Sequence, residues 1–193
     1  MDSTVHIDWT ADLVEQTEWH WKHQVRPRLR GLGDAEYLWE PVAGMWSIRP
    51  KGQGVAEELG DGPFVLDFAH PEPQPAPVTT IAWRLWHVIV GVLGARTAAH
   101  FDGPPIDWAT APYSRSAEET LAALDEHYGR WLDGVRALGP EGLGRRCGAS
   151  EGPFADSPLS ALVLHVNREV IHHLAEVALL RDLYAAGGGG RLV

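Results

Sequence analysis

The feature that most constrains this chain is a long stretch near its C-terminus, Leu164 to Tyr184, with the sequence LHVNREVIHHLAEVALLRDLY. Its apolar residues recur at the spacing of one helical face, which predicts a single long helix with a buried stripe. On a helical wheel His173 falls inside that stripe and Glu169 falls at its edge. A carboxylate there is costly unless a cation or hydrogen-bond donors meet it, so Glu169 needs a partner.

Two interpretations of this stretch remain open. Glu169 and His173 are four residues apart, so their side chains project together, as two metal ligands on one helix must. Pairs with this spacing are also common as ordinary ion pairs on solvated helices. The inward placement favours the ligand pair, and a third ligand from elsewhere in the chain would decide between the two interpretations.

The composition bounds the class of protein. A chain of 193 residues predicts one domain, which we expect over residues 1–186, followed by a flexible Gly-rich tail at 187–193. The net charge of −10 argues against nucleic acid and anionic membrane surfaces as partners. One cysteine, Cys147, excludes an internal disulfide and indicates a reducing, cytoplasmic setting. No apolar run approaches a membrane span.

Apolar periodicity predicts four long helices. In the first, Trp9 is expected on the inward face, and Pro27 should bend or end the regular part. In the second, Gly91 and Gly94 should let another helix approach closely. The predicted helices run from about Asp8 to Arg30, from an N-cap at Thr79 to Phe101, from a capping box at Ser116 to about Leu138, and from a cap at Asp156 or Ser157 to Tyr184.

The segment between the first two helices is long and rich in Gly and Pro. Asp34 is expected to cap a short helix that ends near Trp39, and residues 42–77 then form an irregular crossover with at most short pieces such as Phe64 to Phe68. No convincing strand ladder is predicted. The sequence therefore predicts an all-α fold, a four-helix bundle with a long irregular crossover between helices 1 and 2.

Bundles build metal sites from side chains on facing helices, and His87 on the second helix could complete the pair formed by Glu169 and His173. A lone histidine in an apolar helix is more often a core residue bonded to a carbonyl, and this alternative stays open. His20, Arg84 and Trp46 are further candidates to line a pocket.

The chain also resembles a known family. The segments GLGDAEYLWEPVAGMWSIRP, TTIAWRLWHVIVG and HVNREVIHHLAEVALLRDLY, in this order, resemble the DinB-like superfamily and especially its actinobacterial branch. The resemblance runs from about Trp9 to Tyr184. It implies a four-helix bundle that holds a divalent metal through one histidine of helix 2, here His87, and two residues four apart on helix 4, here Glu169 and His173.

The chain departs from the frequent His-x-x-x-His pattern of that family by having Glu169 in the first position. In this respect it is similar to the mycothiol-dependent maleylpyruvate isomerase relatives, whose ligands read Glu-x-x-x-His. The departure leaves His165, His172 and Glu176 as substitute ligands or as groups that orient the ligands. Zinc and nickel are the first candidates for the metal, and iron or manganese would accept the same ligands.

The resemblance implies a metal-dependent transferase that attaches a low-molecular-weight thiol, mycothiol in this branch, to an electrophilic small molecule. The electrophile is expected to enter beneath the 42–77 segment, with Arg84 or Arg168 neutralising its charge. Two alternatives remain, a metal- or ligand-binding bundle without turnover and a metal-dependent hydrolase. A homodimer is a further expectation from the family.

Overall fold

The computed structural model describes residues 7–187, which form a mostly helical protein with one small sheet. The predicted 187–193 tail, apart from Gly187, lies outside the described residues. The helices are α1 with segments Trp9–His20, Trp21–Val25 and Arg26–Leu29; α2 Asp34–Tyr37; α3 with segments Ile81–Trp86, His87–Gly94 and Ala95–His100; α4 Ala117–Arg136; α5 Gly139–Gly144; and α6 Leu159–Gly187. A 3₁₀ turn, Ala149–Phe154, lies between α5 and α6.

The first helix follows its prediction except at two points. Trp9 was expected to face inward, but it is 63% exposed because the buried face of α1 begins at Thr10 and continues through Leu13. Irregularity also begins before Pro27, since the middle segment Trp21–Val25 is π-helical. Pro27 lies in the first turn of the last segment, where its missing N–H is tolerated.

Two of the predicted N-terminal caps lie at or next to their predicted positions. Thr80, one residue after the predicted Thr79, accepts a hydrogen bond from the Trp83 N–H at the start of α3. Ser116 caps α4 as predicted, through the N–H of Glu119. Asp34 does not cap its own helix, because Gly33 is the cap residue there.

Asp34 instead accepts a hydrogen bond from the Ala117 N–H at 2.8 Å, and so stabilises the N-terminus of α4 from a distant part of the chain. Near the start of α6, Asp156 forms an ion pair with Arg146, and Pro158 forms a β-bridge with the same arginine. The loop before α6 is thereby paired to the chain that follows α5.

The all-α prediction was wrong in the crossover, which contains an antiparallel sheet with strand order β1-β3-β2. Its strands are β1 Ile48–Pro50, β2 Glu57–Leu59 and β3 Phe64–Phe68, and the last has the predicted bounds. The fully buried Asp67 explains why the sheet holds together. Its carboxylate accepts hydrogen bonds from the Ser47 N–H, the Arg49 Nε–H and the Val55 N–H, which satisfies an otherwise costly buried charge.

The long helices α1, α3, α4 and α6 pack around one apolar core. The helix α3 contacts α4 and α6, and α1 contacts the same two helices from the other side. The middle of α3 is the most deeply buried part, with Val88, Ile89 and Leu93 all at 0% exposure. Within residues 7–187, no helix combines the length and apolarity that crossing a membrane requires. The packing brings the second segment of α3 against the polar flank of α6.

Candidate metal centre

His87 begins the π-helical segment of α3, where the backbone departs from regular α-helical spacing. Such segments are frequent at functional sites because they change the direction of side chains within a helix. Trp83, four residues earlier, stacks on the His87 ring with a centroid distance of 5.4 Å and an interplanar angle of 8°. Trp108, from the loop after α3, lies against the same ring at 5.8 Å. Two indoles therefore fix the imidazole from two sides.

His87, Glu169 and His173 meet between α3 and α6. One potential ligand atom from each lies within 4.8 Å of the others. The rings of His87 and His173 approach edge to face, with their centroids 4.5 Å apart. Nε2 of His173 is 3.3 Å from Oε2 of Glu169. Ligands about 2.1 Å from a common zinc ion are at most about 4.2 Å apart, so the observed spacing suits a small cation after a slight contraction.

The orientation of His173 depends on a second carboxylate. Nδ1 of His173 lies 2.9 Å from Oε2 of Glu176, and that carboxylate also accepts a hydrogen bond from Arg84. If Nδ1–H donates to Glu176, Nε2 directs a lone pair toward the Glu169 carboxylate, and two acceptors then face each other. A cation bound between Nε2 of His173 and the Glu169 carboxylate satisfies both of these acceptors. The donor set of this site therefore fits a divalent metal.

Burial sets the protonation of His87. Desolvation, aided by the neighbouring His173 and partly opposed by the Glu169 carboxylate, lowers the pKa of His87 to about 4. The imidazole is consequently neutral at physiological pH, which is the form that binds a metal. A core histidine bonded to a carbonyl was the open alternative for this residue. The structure places the His87 ring against His173 and two indoles instead.

The exposure of the α6 side chains follows the helical wheel. The side chains of His173 and Glu169 are 16% and 25% exposed, that of Glu176 is 31%, that of His165 is 39% and that of His172 is 63%. His165 lies 3.6 Å from Oε1 of Glu169, and His172 lies 3.5 Å from Oε1 of Glu176. His172, His173 and Glu176 form a second, more exposed group with metal-ligand spacing.

The three residues predicted to line a pocket lie in different places. Arg84 joins the cluster through Glu176. Trp46 is buried one layer away, with its ring 6.2 Å from that of Trp83, so it supports the residue that stacks on His87. His20 lines a separate cavity with Gln24, between α1 and α6. Burial lowers the pKa of His20, and its Nδ1 has no hydrogen-bond partner within residues 7–187.

Sequence reasoning did not single out the aromatic walls of the site. Trp83 could have been found, because it precedes His87 by four residues and so shares its helical face. Trp108 could not, since its position depends on how the loop after α3 folds back onto Gly91. A Cβ at Gly91 would lie 2.4 Å from the Trp108 ring. Gly94 faces two side chains, Ile106 of the loop after α3 and His127 of α4. Gly91 and Gly94 therefore leave room for loop side chains as well as for a neighbouring helix.

Together these elements define a mostly helical protein with a His-Glu-His group of the type that can bind a metal. The family model of the DinB superfamily matches residues 65–177, which is more than half of the chain and includes all three residues of this group. The chain belongs to the DinB superfamily. Comparison with curated proteins and with solved structures gave no significant match.

Proposed function

We propose that this protein is a metal-dependent transferase that conjugates a low-molecular-weight thiol, mycothiol, to an electrophilic small molecule. The observation that carries the proposal is the meeting of His87, Glu169 and His173 within 4.8 Å at the junction of α3 and α6. Three protein ligands leave coordination positions open, as catalytic sites require and structural sites avoid. Membership of the superfamily and the Glu-x-x-x-His pattern support the thiol chemistry.

A bound divalent metal, zinc or nickel first and iron or manganese next, would lower the pKa of a thiol at an open position. The protein side chains supply the geometry. Glu176 holds the His173 ring through Nδ1, and Arg84 holds Glu176 in turn. Trp83 and Trp108 keep the His87 ring in place and exclude water from that side.

We further propose that the long helices form a four-helix bundle of DinB type within one domain, and that the protein is a homodimer.

The test begins with metal analysis of the purified protein, followed by a thiol-transfer assay with 1-chloro-2,4-dinitrobenzene as electrophile and mycothiol as donor. We expect bound metal and electrophile consumption that requires the thiol. His87→Ala should lose both. His23→Ala is the matched control, because this exposed histidine of α1 belongs to neither group with metal-ligand spacing, and it should retain both.

Each alternative predicts a different result. Turnover that persists in His87→Ala would exclude the metal-dependent mechanism. Hydrolysis of a model ester without thiol would assign the protein to the metal-dependent hydrolases. Stoichiometric retention of metal without turnover of any substrate would indicate a binding module.

A further inference from the structure

A cavity of about 620 Å³ opens beside the cluster, between the end of α3, the 147–157 segment and the first turns of α6. Its walls are mainly apolar and include Pro153, Phe154, Ala161 and Leu162. The volume is within the usual range for sites that bind a small organic molecule. Phe154 is 68% exposed, so a large apolar side chain lies at the surface where the cavity meets solvent.

The cavity is separated from the proposed ligand Glu169 by residues that contact its carboxylate. His165 and Arg168 belong to its wall, and each has a ring or guanidinium nitrogen 3.6 Å from Oε1 of Glu169. Arg96, which also lines the cavity, donates a hydrogen bond to the carbonyl of Gly91, in the same helical segment as His87. A molecule in this space would therefore lie next to residues that contact Glu169.

The charged side chains in the cavity wall indicate what kind of molecule the cavity can bind. The wall carries two guanidinium groups, from Arg96 and Arg168, and one carboxylate, from Glu151. Glu151 is already engaged, with Oε1 2.9 Å from Nε2 of His100 and Oε2 3.7 Å from Nε of Arg96. This engagement anchors the 147–157 segment to α3. The Arg168 guanidinium is 69% exposed and lies 2.7 Å from Nδ1 of His165 and 3.6 Å from Oε1 of Glu169. Among the wall residues the guanidinium groups outnumber the carboxylates by two to one, whereas the chain as a whole has a net charge of −10.

We propose that this cavity binds an organic anion with an apolar body, held by Arg168 and Arg96, and that this anion is the electrophilic substrate. The second part of the assignment rests on the proposed function. An apolar wall with cationic groups at its ends matches a carboxylate on a hydrocarbon or aromatic body better than it matches a neutral polar molecule. Cys147 also lines the cavity. Burial, aided by the Glu151 charge, raises the pKa of its thiol and keeps it from acting as a nucleophile.

The site can be tested with 4-phenylbutanoate as probe and the neutral 4-phenylbutanamide as its matched control, using isothermal titration calorimetry. We expect the anion to bind at least about fivefold more tightly than the amide. Arg168→Ala should weaken anion binding about fivefold, whereas Arg130→Ala, which removes an exposed arginine of α4 outside the cavity wall, should leave it unchanged. Ala161→Trp should fill the space and reduce binding by more than about tenfold.

The same titration with His87→Ala separates the cavity from the metal site. Unchanged affinity in His87→Ala supports the cavity, whereas loss of binding there would show that the probe coordinates metal and would overturn the inference. Equal affinity for acid and amide, or undiminished binding in the Ala161→Trp variant, would also overturn it. Probe binding without any thiol-transfer activity would refute the proposed function alone and leave the anion site standing.

Discussion

Oε2 of Glu176 lies 2.9 Å from Nδ1 of His173, on the side of the ring that faces away from Glu169. The two carboxylates are seven residues apart on α6, and the imidazole between them links one to the other. Glu176 is joined to α3 through Arg84, so the orientation of one α6 side chain depends on both helices. Groups that orient a metal ligand in this way contribute strongly to metal affinity without touching the metal.

Replacing Glu176 with Gln should weaken metal binding by about 10- to 100-fold, because the amide is a poorer acceptor for the His173 Nδ1–H and loses its charge pairing with Arg84. Competition against a chromophoric chelator measures the affinity. Glu126→Gln, at an exposed ion pair on α4, is the control and should bind metal as the unmodified protein does. Equal affinities in both variants would contradict the orienting role of Glu176.

Replacing Glu169 should show whether Glu169 itself is a metal ligand. Glu169→His restores the His-x-x-x-His pattern frequent in the superfamily and should retain metal, since an imidazole at this position also reaches the space beside His87 and His173. Glu169→Ala should lose metal by equilibrium dialysis with metal analysis. His165→Ala, which removes a neighbour 3.6 Å from Glu169, should retain it. If His165→Ala and not Glu169→Ala released the metal, His165 would be the ligand.

Gly91→Ala should destabilise the protein by about 1–3 kcal/mol, the usual cost of overpacking. The new methyl group would lie 2.4 Å from Cζ2 of Trp108, so the indole must move and its contact with the His87 ring at 5.8 Å must change. Urea denaturation gives the stability, and tryptophan fluorescence reports the displacement. Gly129→Ala is the control, because nothing lies within 4 Å of its Cβ position on helix α4. That variant should gain about 0.5–1 kcal/mol from helix propensity.

Acid should destabilise the fold partly through His127. Burial lowers the pKa of His127 from its ordinary value of 6.5, with Arg130 acting in the same direction and Glu126 opposing it. Below pH about 6.5 the unfolded chain therefore binds more protons than the folded chain. The contribution of a neutral His127 to stability is complete above that pH and is lost as the pH falls.

The measurement compares urea midpoints at pH about 7.5 and about 5 for the unmodified protein and for His127→Gln. The variant should lose less stability between the two conditions. His20 and His87, whose pKa values are also lowered by burial, remain in the variant, so the slope is reduced and not removed. An identical pH dependence in both proteins would show that His127 is solvated when folded.

Helical periodicity was sufficient to predict the long helices, because each buries one apolar face and the spacing of that face is written in the order of residues. The same reasoning placed His173 inside the buried stripe of α6 and Glu169 at its edge, and their side chains are 16% and 25% exposed. It failed for Trp9, whose apolar ring suggested burial although α1 meets its neighbours only from Thr10 onward. It also missed the sheet, since β1 and β2 have only three residues each, too few for an alternating pattern, and the buried Asp67 of β3 accepts hydrogen bonds from Ser47 and Val55, just before these strands.

The sequence by itself determined which residues could act together on α6, because side chains three or four apart on a helix must project from the same face. Only the tertiary structure decided that His87 of α3 meets them, that Trp83 and Trp108 enclose its ring, and that Arg96 and Arg168 share a cavity. The physical reason is the distance along the chain between the residues in contact. Contacts within one helix are set by a fixed geometric repeat, whereas contacts between helices depend on how the whole core packs and how the loops return.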